Sequence, residues 1–232
     1  SAFLLNRSSD LEIEMRVLSA EHPKHRYFFT DVVETEGVHV LDITDKAAVS
    51  AFVAVNAIDL IVNCAAYTNV DKAEEDEPTA MKINADALTV LGSQTVKVIH
   101  VSTDYVFSGD EHLPCRETDP VAPRTAYGRT KLEGEKRLLA VCPEAVILRT
   151  AWLYSSFGNN FVKTMIRLGK EKEQLGVVFD PIGTPTYAAD LATAIFTVIE
   201  CPVWHPGIYH ITNEGVCSWY DFTIAIHHLA GI

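Results

Sequence analysis

Short apolar runs alternate along the chain with segments in which apolar residues recur every three or four positions. The runs are continuous in Val, Ile, Leu and Phe, as expected for parallel strands that are covered on both faces. Strands that alternate with helices indicate the α/β class with a Rossmann-like, doubly wound parallel sheet. The predicted strands are "RYFFT" ending at Asp31, "VHVLD" ending at Asp42, and residues 58–62, 96–101, 145–149, 176–179 and 207–211.

Four of the intervening segments have clear helix signals. "TDKAAVSAFVAV" begins with a capping Thr44 or Asp45, and "PTAMKINADALTVLG" begins with proline and ends in glycine. "YAADLATAIFTVIE" and "SWYDFTIAIHHLAG" each place apolar residues on one stripe. We interpret these stripes as core.

Composition narrows the class of protein. The chain has 232 residues, 48% hydrophobic, with 19 Lys+Arg against 31 Asp+Glu, a net charge of −12. No basic cluster offers phosphate contacts, so nucleic acid and membrane are not expected partners. The five cysteines are widely spaced and form no CxxC pair, which favours a reducing cytoplasm over a disulfide framework or a zinc site. We find no signal peptide and no membrane-length apolar run.

Polar residues follow three predicted strands at the sheet edge where such folds bind ligands. They are the small-residue turn "NCAAYTNVD" at 63–71, the run 102–105 (Ser-Thr-Asp-Tyr) and the run 150–152 (Thr-Ala-Trp). Each alone is typical of an ordinary turn, because Ser, Thr, Asp and Asn bond to nearby backbone. Three together favour a binding site.

Tyr127 and Lys131 stand four residues apart in "AYGRTKLEGEK", so one helix face carries both. A nearby cation lowers the pKa of a tyrosine, which makes the pair a tunable acid. A hydroxyl from Thr103 at a strand end would complete a site that protonates a substrate oxygen. The YxxxK spacing alone is weak evidence for such a site. Together with the strand end and the alanine turn, it becomes strong evidence.

Five motifs resemble one family in sequence and order: "VNCAAYTNVDKAE", "HVSTDYVFSG", "YGRTKLEGE", "LRTAWLYSSFGNNFV" and "GTPTYAADLA". They are similar to those of the dTDP-4-dehydrorhamnose reductases, members of the extended short-chain dehydrogenase/reductase superfamily. The resemblance runs from about residue 12 to the last residue. It implies reduction of the 4-keto group of dTDP-4-dehydro-L-rhamnose with NADPH, in dTDP-rhamnose biosynthesis.

The same resemblance implies roles for individual residues. The catalytic residues would be Thr103, Tyr127 and Lys131, the last two also touching the cofactor. The other cofactor-binding residues would be Asp31, Asp42, Ile43, Ala65, Ala66, Tyr67, Thr68 and Asn84. The residues meeting the sugar would be Asp104, Tyr105, Val106 and Trp152.

The resemblance also implies two lobes. Residues 1–152 and 177–212 would form the dinucleotide-binding domain, and 153–176 with 213–232 a substrate lobe that continues in the family beyond Ile232. We expect a cytoplasmic monomer or homodimer acting on a small nucleotide sugar. Magnesium, which Glu14 and Asp190 could touch, is possible but unsupported, since these are more simply surface carboxylates, and no metal site is assigned.

The chain departs from the family where a glycine-rich turn normally receives the pyrophosphate. "LLNRSSDLEIEMR" has no glycine, so either the natural sequence differs here or the cofactor binds weakly, and the otherwise intact site favours the first. Asp31 at a strand end favours NADH, whereas the family implies NADPH, and we leave the preference open.

Two alternatives stay open. One is another nucleotide-sugar epimerase or dehydratase of the extended family, and the other is a non-catalytic, cofactor-binding regulatory subunit. A dehydratase needs an acid and a base, which such enzymes supply as an adjacent Asp-Glu pair after the strand-end Thr. Here Tyr105 takes the second position, which favours simple ketone reduction.

Overall fold

A seven-stranded parallel sheet forms the centre of the molecule. Its strands lie in the order β10 (Gly207–His210), β6 (Val146–Thr150), β5 (Lys97–Thr103), β4 (Leu60–Asn63), β1 (Ala2–Asn6), β2 (Arg26–Asp31) and β3 (His39–Val40). The computed structural model describes residues 2–6, 9–110 and 113–232. The strand order reverses between β1 and β4, as in doubly wound folds. The predicted α/β class is therefore confirmed.

The other strands are β7 (Leu153–Tyr154), β8 (Ile182–Gly183), β9 (Thr186–Tyr187) and β11 (Cys217–Ser218). The α-helices are α1 (Ser9–Ser19), α2 (Lys46–Asn56), α3 (Val70–Glu75), α4 (Glu77–Met81), α5 (Ala87–Gly92), α6 (Ala126–Val141), α7 (Phe161–Glu171), α8 (Ala188–Glu200) and α9 (Trp219–Ala230).

Two hydrophobic layers cover the faces of the sheet. Helices α1 and α8 pack on one face, where Leu11, Met15 and Phe196 are buried. Helices α2, α5 and α6 cover the other face, where Leu88 and Leu138 are buried. Burial on both faces explains why the strand sequences are continuous apolar runs.

Several predicted boundaries are confirmed at the residue level. Asp45 rather than Thr44 caps α2, because its carboxylate accepts from the backbone N–H groups of Ala47 and Ala48, each at 3.0 Å. The apolar stripes of α8 and α9 begin and end close to their predicted limits.

Two predictions from the pattern are wrong, and one predicted helix has its expected limits but an unexpected interior. Residues 176–179 form no strand, and Val178 and Phe179 are 60% and 63% exposed, because this segment lies outside the sheet and has no ladder partner there. The strand predicted to end at Asp42 is only His39–Val40. The helix from Pro78 is interrupted by a π-helical turn, Lys82–Asp86, between α4 and α5. Such turns occur often at functional sites.

The segments assigned to a substrate lobe contain α7, α9, and the short strands β7 and β11. Helix α7 packs on α9, β11 pairs with β8, and β7 pairs with β9. The glycine-free stretch includes residues 7 and 8, which lie outside the described residues. Across the described ranges, no helix is long and apolar enough to span a membrane.

Candidate active site

The residues predicted to be catalytic meet at the carboxyl end of β5 and the first turns of α6. Thr125 caps α6 by accepting from the N–H of Gly128 at 3.0 Å, which fixes where Tyr127 leaves the helix. Gly128 lets α6 approach the turn after β5 closely, since a Cβ there would collide with the carbonyl oxygen of Tyr105. The helix and the strand end are therefore held in direct contact.

The Tyr127 side chain is hydrogen-bonded to Thr103. The Thr103 hydroxyl donates to Asp104 Oδ1 at 3.0 Å and accepts from the N–H of Tyr105 at 3.2 Å. A threonine hydroxyl has a single proton. That proton can go to Asp104 or to the Tyr127 oxygen, but not to both at once.

The prediction that Lys131 lowers the pKa of Tyr127 is wrong for this structure. Burial raises the pKa of Tyr127 well above its ordinary value, the hydrogen bond from Thr103 acts in the opposite direction, and the charge of Asp104 adds to the rise. The Lys131 ammonium forms its hydrogen bonds elsewhere. The phenol therefore stays protonated at neutral pH, the state that a proton donor needs.

Lys131 is 1% exposed. Its Nζ donates to the carbonyl oxygen of Val101 at 2.8 Å and lies 3.2 Å from His100 Nε2. Burial lowers the pKa of the ammonium to about 8, while Glu135 and Cys64 act to raise it. The buried cation is thus anchored to β5 rather than to the tyrosine.

Asn84 lies in the π-helical turn and connects three parts of the site. Its Oδ1 accepts from the N–H of Tyr67 at 2.8 Å, and its Nδ2 donates to Thr130 Oγ1 at 3.0 Å. Gly134 permits the close approach of α6 to the π-helical turn, because a Cβ there would collide with the Asn84 carbonyl oxygen. Asn84 therefore clamps the turn after β4 to helix α6.

An open cavity of about 400 Å³ lies beyond the carboxyl ends of β2, β3 and β4. Most of the residues that sequence analysis assigned to a cofactor line it together: Asp31, Asp42, Ile43, Ala65, Ala66 and Thr68. Tyr67 is not among its lining residues and packs with Tyr127 against a small alanine cluster. Lys82, which sequence reasoning missed, adds a cation to the cavity wall.

The residues predicted to meet a sugar divide into two groups. Tyr105 is 38% exposed and packs edge-on against Tyr127, with ring centroids 5.5 Å apart. Burial raises the pKa of Asp104 above its ordinary range. Val106, by contrast, is fully buried beside Phe107, which leaves only its backbone for a contact with a sugar.

Trp152 has the left-handed backbone conformation, with φ +49°, which is rare for a large side chain. Its ring stacks on Trp219 with centroids 3.5 Å apart. A Cβ at Gly183 would lie 2.5 Å from the same ring. Sequence analysis missed Trp219 and Gly183, because a stacking partner distant in sequence leaves no local pattern.

Arg149 on β6 and Glu135 on α6 form a buried ion pair. Arg149 donates twice to Glu135, at 3.0 and 2.7 Å, and Ser102 Oγ donates to Glu135 at 2.5 Å. The three side chains are at most 4% exposed. The i+4 spacing of Glu135 after Lys131 was the available signal, and sequence analysis did not use it.

The first turns of α1 are acidic and buried. Asp10, Glu12 and Glu14 are 5%, 6% and 7% exposed, and Asp10 accepts from Asn160 Nδ2 at 3.0 Å. Burial raises the pKa of Glu14. Asp190 accepts from Asn213. Among the residues described, no three His, Cys, Asp or Glu side chains converge to hold a metal ion.

The chain matches the family model described as the RmlD substrate binding domain over residues 22–232. It is 43% identical over 194 residues to a dTDP-4-dehydrorhamnose reductase of Aggregatibacter actinomycetemcomitans, covering 80% of this chain and 66% of that protein. It is 44% identical over 175 residues to the enzyme of that name from Escherichia coli, covering 72% of this chain and 58% of that protein. The chain thus spans about two thirds or less of these relatives.

Solved structures with the same fold include proteins that bear the same name as these relatives. A dTDP-4-dehydrorhamnose reductase from Clostridium acetobutylicum superposes with a TM-score of 0.93 at 41% identity, over 100% of this chain and 81% of that one. One from Bacillus anthracis, in complex with NADP, gives 0.91 at 36% identity, over 100% and 82%. A dTDP-glucose 4,6-dehydratase from Streptomyces venezuelae, 17% identical with a TM-score of 0.84 over 100% and 81%, shares the fold alone.

Proposed function

The chain belongs to the RmlD substrate binding domain family, and on that premise we propose that it reduces the 4-keto group of dTDP-4-dehydro-L-rhamnose to dTDP-L-rhamnose with NADPH. One observation carries the proposal. The protonated Tyr127 phenol and Thr103 meet at the carboxyl end of β5, the same edge of the sheet at which the cavity lies beyond β2, β3 and β4. The homologous structure with NADP supports the choice of cofactor.

The cavity suits the adenosine end of a dinucleotide. Asp31 and Asp42 offer carboxylates at strand ends for ribose hydroxyls, and Ala65 and Ala66 leave room for a flat ligand. The Lys82 ammonium could pair with the 2′-phosphate of NADPH. The Asp31 carboxylate suits the free ribose 2′-hydroxyl of NADH. NADPH is thus the proposed donor and NADH is expected to work less well.

When bound, the reduced nicotinamide would supply hydride to the sugar carbonyl carbon. Tyr127 gives its phenolic proton to the carbonyl oxygen. The hydride thus forms the new C–H bond, the proton forms the O–H bond, and the C=O double bond becomes a single bond. Thr103 turns its hydroxyl proton from Asp104 to the carbonyl oxygen and so holds it beside Tyr127. Lys131 would hold the nicotinamide ribose, and solvent returns the proton to the Tyr127 phenolate.

Tyr105 and Trp152 form the proposed walls for the sugar ring, with Asp104 beside them. Aromatic faces suit the apolar face of a 6-deoxy sugar. We assign 153–176 and 213–232 to the substrate lobe and 1–152 with 177–212 to the cofactor domain. We also propose a cytoplasmic monomer or homodimer, which light scattering of the purified protein would distinguish.

The direct test is to follow NADPH absorbance when the purified protein is given dTDP-4-dehydro-L-rhamnose. We expect stoichiometric oxidation and a product heavier by two hydrogens in mass spectrometry. Binding of NADPH without turnover would instead support the regulatory-subunit alternative and overturn the proposal.

A second incubation, with dTDP-glucose and NAD, tests the dehydratase alternative. Asp104 is followed by Tyr105, so the second carboxylate that dehydration requires is missing at that position. We expect dTDP-glucose to be recovered unchanged. Loss of one water from this substrate would contradict the reductase assignment.

A further inference from the structure

A series of buried polar side chains runs beneath the proposed reaction site from β4 to α6. Asn63 and His100 lie opposite one another on neighbouring parallel strands, and both are 0% exposed. Lys131 reaches this pair from α6. The proposed reaction gives His100 no role, although a fully buried imidazole is costly unless its two nitrogens are satisfied.

The contacts of these side chains fix where the protons are. His100 Nδ1 lies 3.0 Å from Asn63 Nδ2, and His100 Nε2 lies 3.2 Å from Lys131 Nζ. A neutral imidazole has one N–H donor and one bare acceptor nitrogen, whereas an ammonium and an amide NH₂ only donate. Two donors cannot both face a neutral imidazole, so one of the two contacts must be reassigned.

The ammonium is the fixed partner. Lys131 is charged at neutral pH, so Nε2 accepts and Nδ1 carries the imidazole proton. Burial, together with the charge of Lys131, holds the pKa of His100 well below its ordinary value, which keeps the ring neutral. Asn63 then presents an oxygen to Nδ1, either its backbone carbonyl, which also contacts the imidazole, or its side-chain oxygen after an exchange of the amide atoms.

We propose that His100 is a positioning residue for Lys131: held by Asn63 as the Nδ1–H tautomer, it presents Nε2 as an acceptor that fixes one proton of the ammonium. The carbonyl oxygen of Val101 fixes a second proton. The third is left for the reaction site. The role of His100 rests on the proposed function only for what Lys131 does in turnover.

Removing the acceptor has a predictable effect on pH dependence. The groups that face Lys131 are Cys64 after β4, His100 on β5 and Glu135 on α6, the last paired with Arg149. The pKa of Lys131 is about 8 with the acceptor in place. The ammonium is present below that pKa and is lost as pH rises through it. Loss of a hydrogen bond from a charged group moves the pKa down by about one unit.

The tautomer can be read in the resting protein by ¹⁵N NMR of labelled histidines, with His100→Gln identifying the signal. We expect a protonated Nδ1 and a bare Nε2 from about pH 6 to about pH 8. A protonated Nε2, or a ring that titrates in this range, would overturn the proposal. This measurement needs no turnover, so its failure is distinct from failure of the proposed function.

The second test is the pH profile of kcat for His100→Leu and His100→Gln. The leucine variant should lose activity at a pH about one unit lower than the parent, and the glutamine variant, whose amide oxygen can replace Nε2, should keep the parental limit. Val98→Ala is the matched control, because Val98 is equally buried on the same face of β5.

An unmoved limit in His100→Leu would contradict the proposal, and so would an equal movement in Val98→Ala. If the leucine variant does not fold, the glutamine variant and the tautomer measurement decide. Absence of turnover in the parent protein would refute the proposed function and leave the NMR result to judge His100.

Discussion

Proton donation depends on one hydroxyl. Tyr127→Phe removes the phenolic proton while keeping the ring against Tyr105. We expect kcat to fall by about 10²-fold or more with little change in NADPH affinity, as for loss of a general acid. Steady-state kinetics and calorimetry measure the two quantities.

Tyr209→Phe is the control for that substitution, because Tyr209 lies at the far edge of the sheet and its hydroxyl donates to the carbonyl of His205. It should retain parental kcat. A Tyr127→Phe variant with near-parental turnover would remove Tyr127 from the mechanism.

At this scale the sequence gives residue types and spacing but not the direction of side chains. Tyr127 and Thr103 were paired correctly from a strand end and a helix turn. Lys131 shares the helix face as predicted, yet its ammonium turns toward His100 and Val101. Val106 follows its neighbours in sequence but points into the core, because successive side chains leave a tight turn in different directions.

Helix α6 packs directly against the π-helical turn, and this close approach depends on the absence of a side chain at Gly134. In Gly134→Ala the new methyl group would meet the Asn84 carbonyl oxygen, so the helix or the turn must shift. We expect a loss of about 1–3 kcal/mol in the free energy of unfolding and a lower kcat, because Asn84 holds Tyr67. Urea unfolding and kinetics measure these effects.

Gly176→Ala is the matched control, since nothing lies within 4 Å of a Cβ at that position. It should unfold like the parent protein. If Gly134→Ala also does, the close approach of the two helices is not required.

Helix α1 carries the main departure from the family. Asp10 and Glu12 lie in its first turn, where a phosphate would be stabilised by the positive end of the helix. If the sequence of residues 6–13 is the natural one, the lack of glycine there predicts weak NADPH binding, and Asp10→Asn with Glu12→Gln should raise the affinity about tenfold. Calorimetry measures both, with Glu21→Gln as an exposed control. Micromolar NADPH affinity of the unaltered chain would contradict this expectation.

Element prediction succeeded where apolar period and caps agree, as in α2, α8 and α9. It failed where tertiary contacts decide the outcome. The run at 176–179 has strand-forming residues but no neighbouring strand. The π-helical turn inserts an extra residue in a helix that contacts α6, and no local signal marks it.

The molecule as a whole joins its two predicted lobes through aromatic rings. Trp152, at the end of β6, stacks on Trp219 of α9, which also contacts Phe161 of α7 with ring centroids 4.4 Å apart. Trp219→Ala should raise KM for the nucleotide sugar by about tenfold, because Trp152 loses the ring that orients it, and cost about 2 kcal/mol of stability.

Trp204→Ala is the control for this prediction. Trp204 contacts Lys97 at the amino end of β5, away from the site. It should lower stability without changing KM. Equal KM values in the two variants would show that the stacked pair has no part in substrate binding.

The order of elements in the whole molecule was predictable, because parallel strands and covering helices follow from apolar patterns. Pairings across long sequence distances were not. The stack of Trp152 on Trp219 and the ion pair of Glu135 with Arg149 join positions whose proximity depends on the completed fold.

The Trp152 wall has a consequence for how such enzymes diversify. Its ring is fixed by Trp219 and by the absence of a side chain at Gly183. These two residues lie on α9 and β8, whereas Tyr127 and Lys131 lie on α6. Substitutions at these two positions can reshape the sugar pocket while the hydride and proton chemistry is inherited unchanged. A library randomised at residues 183 and 219 would therefore be expected to change which sugars are accepted before it changes what is done to them.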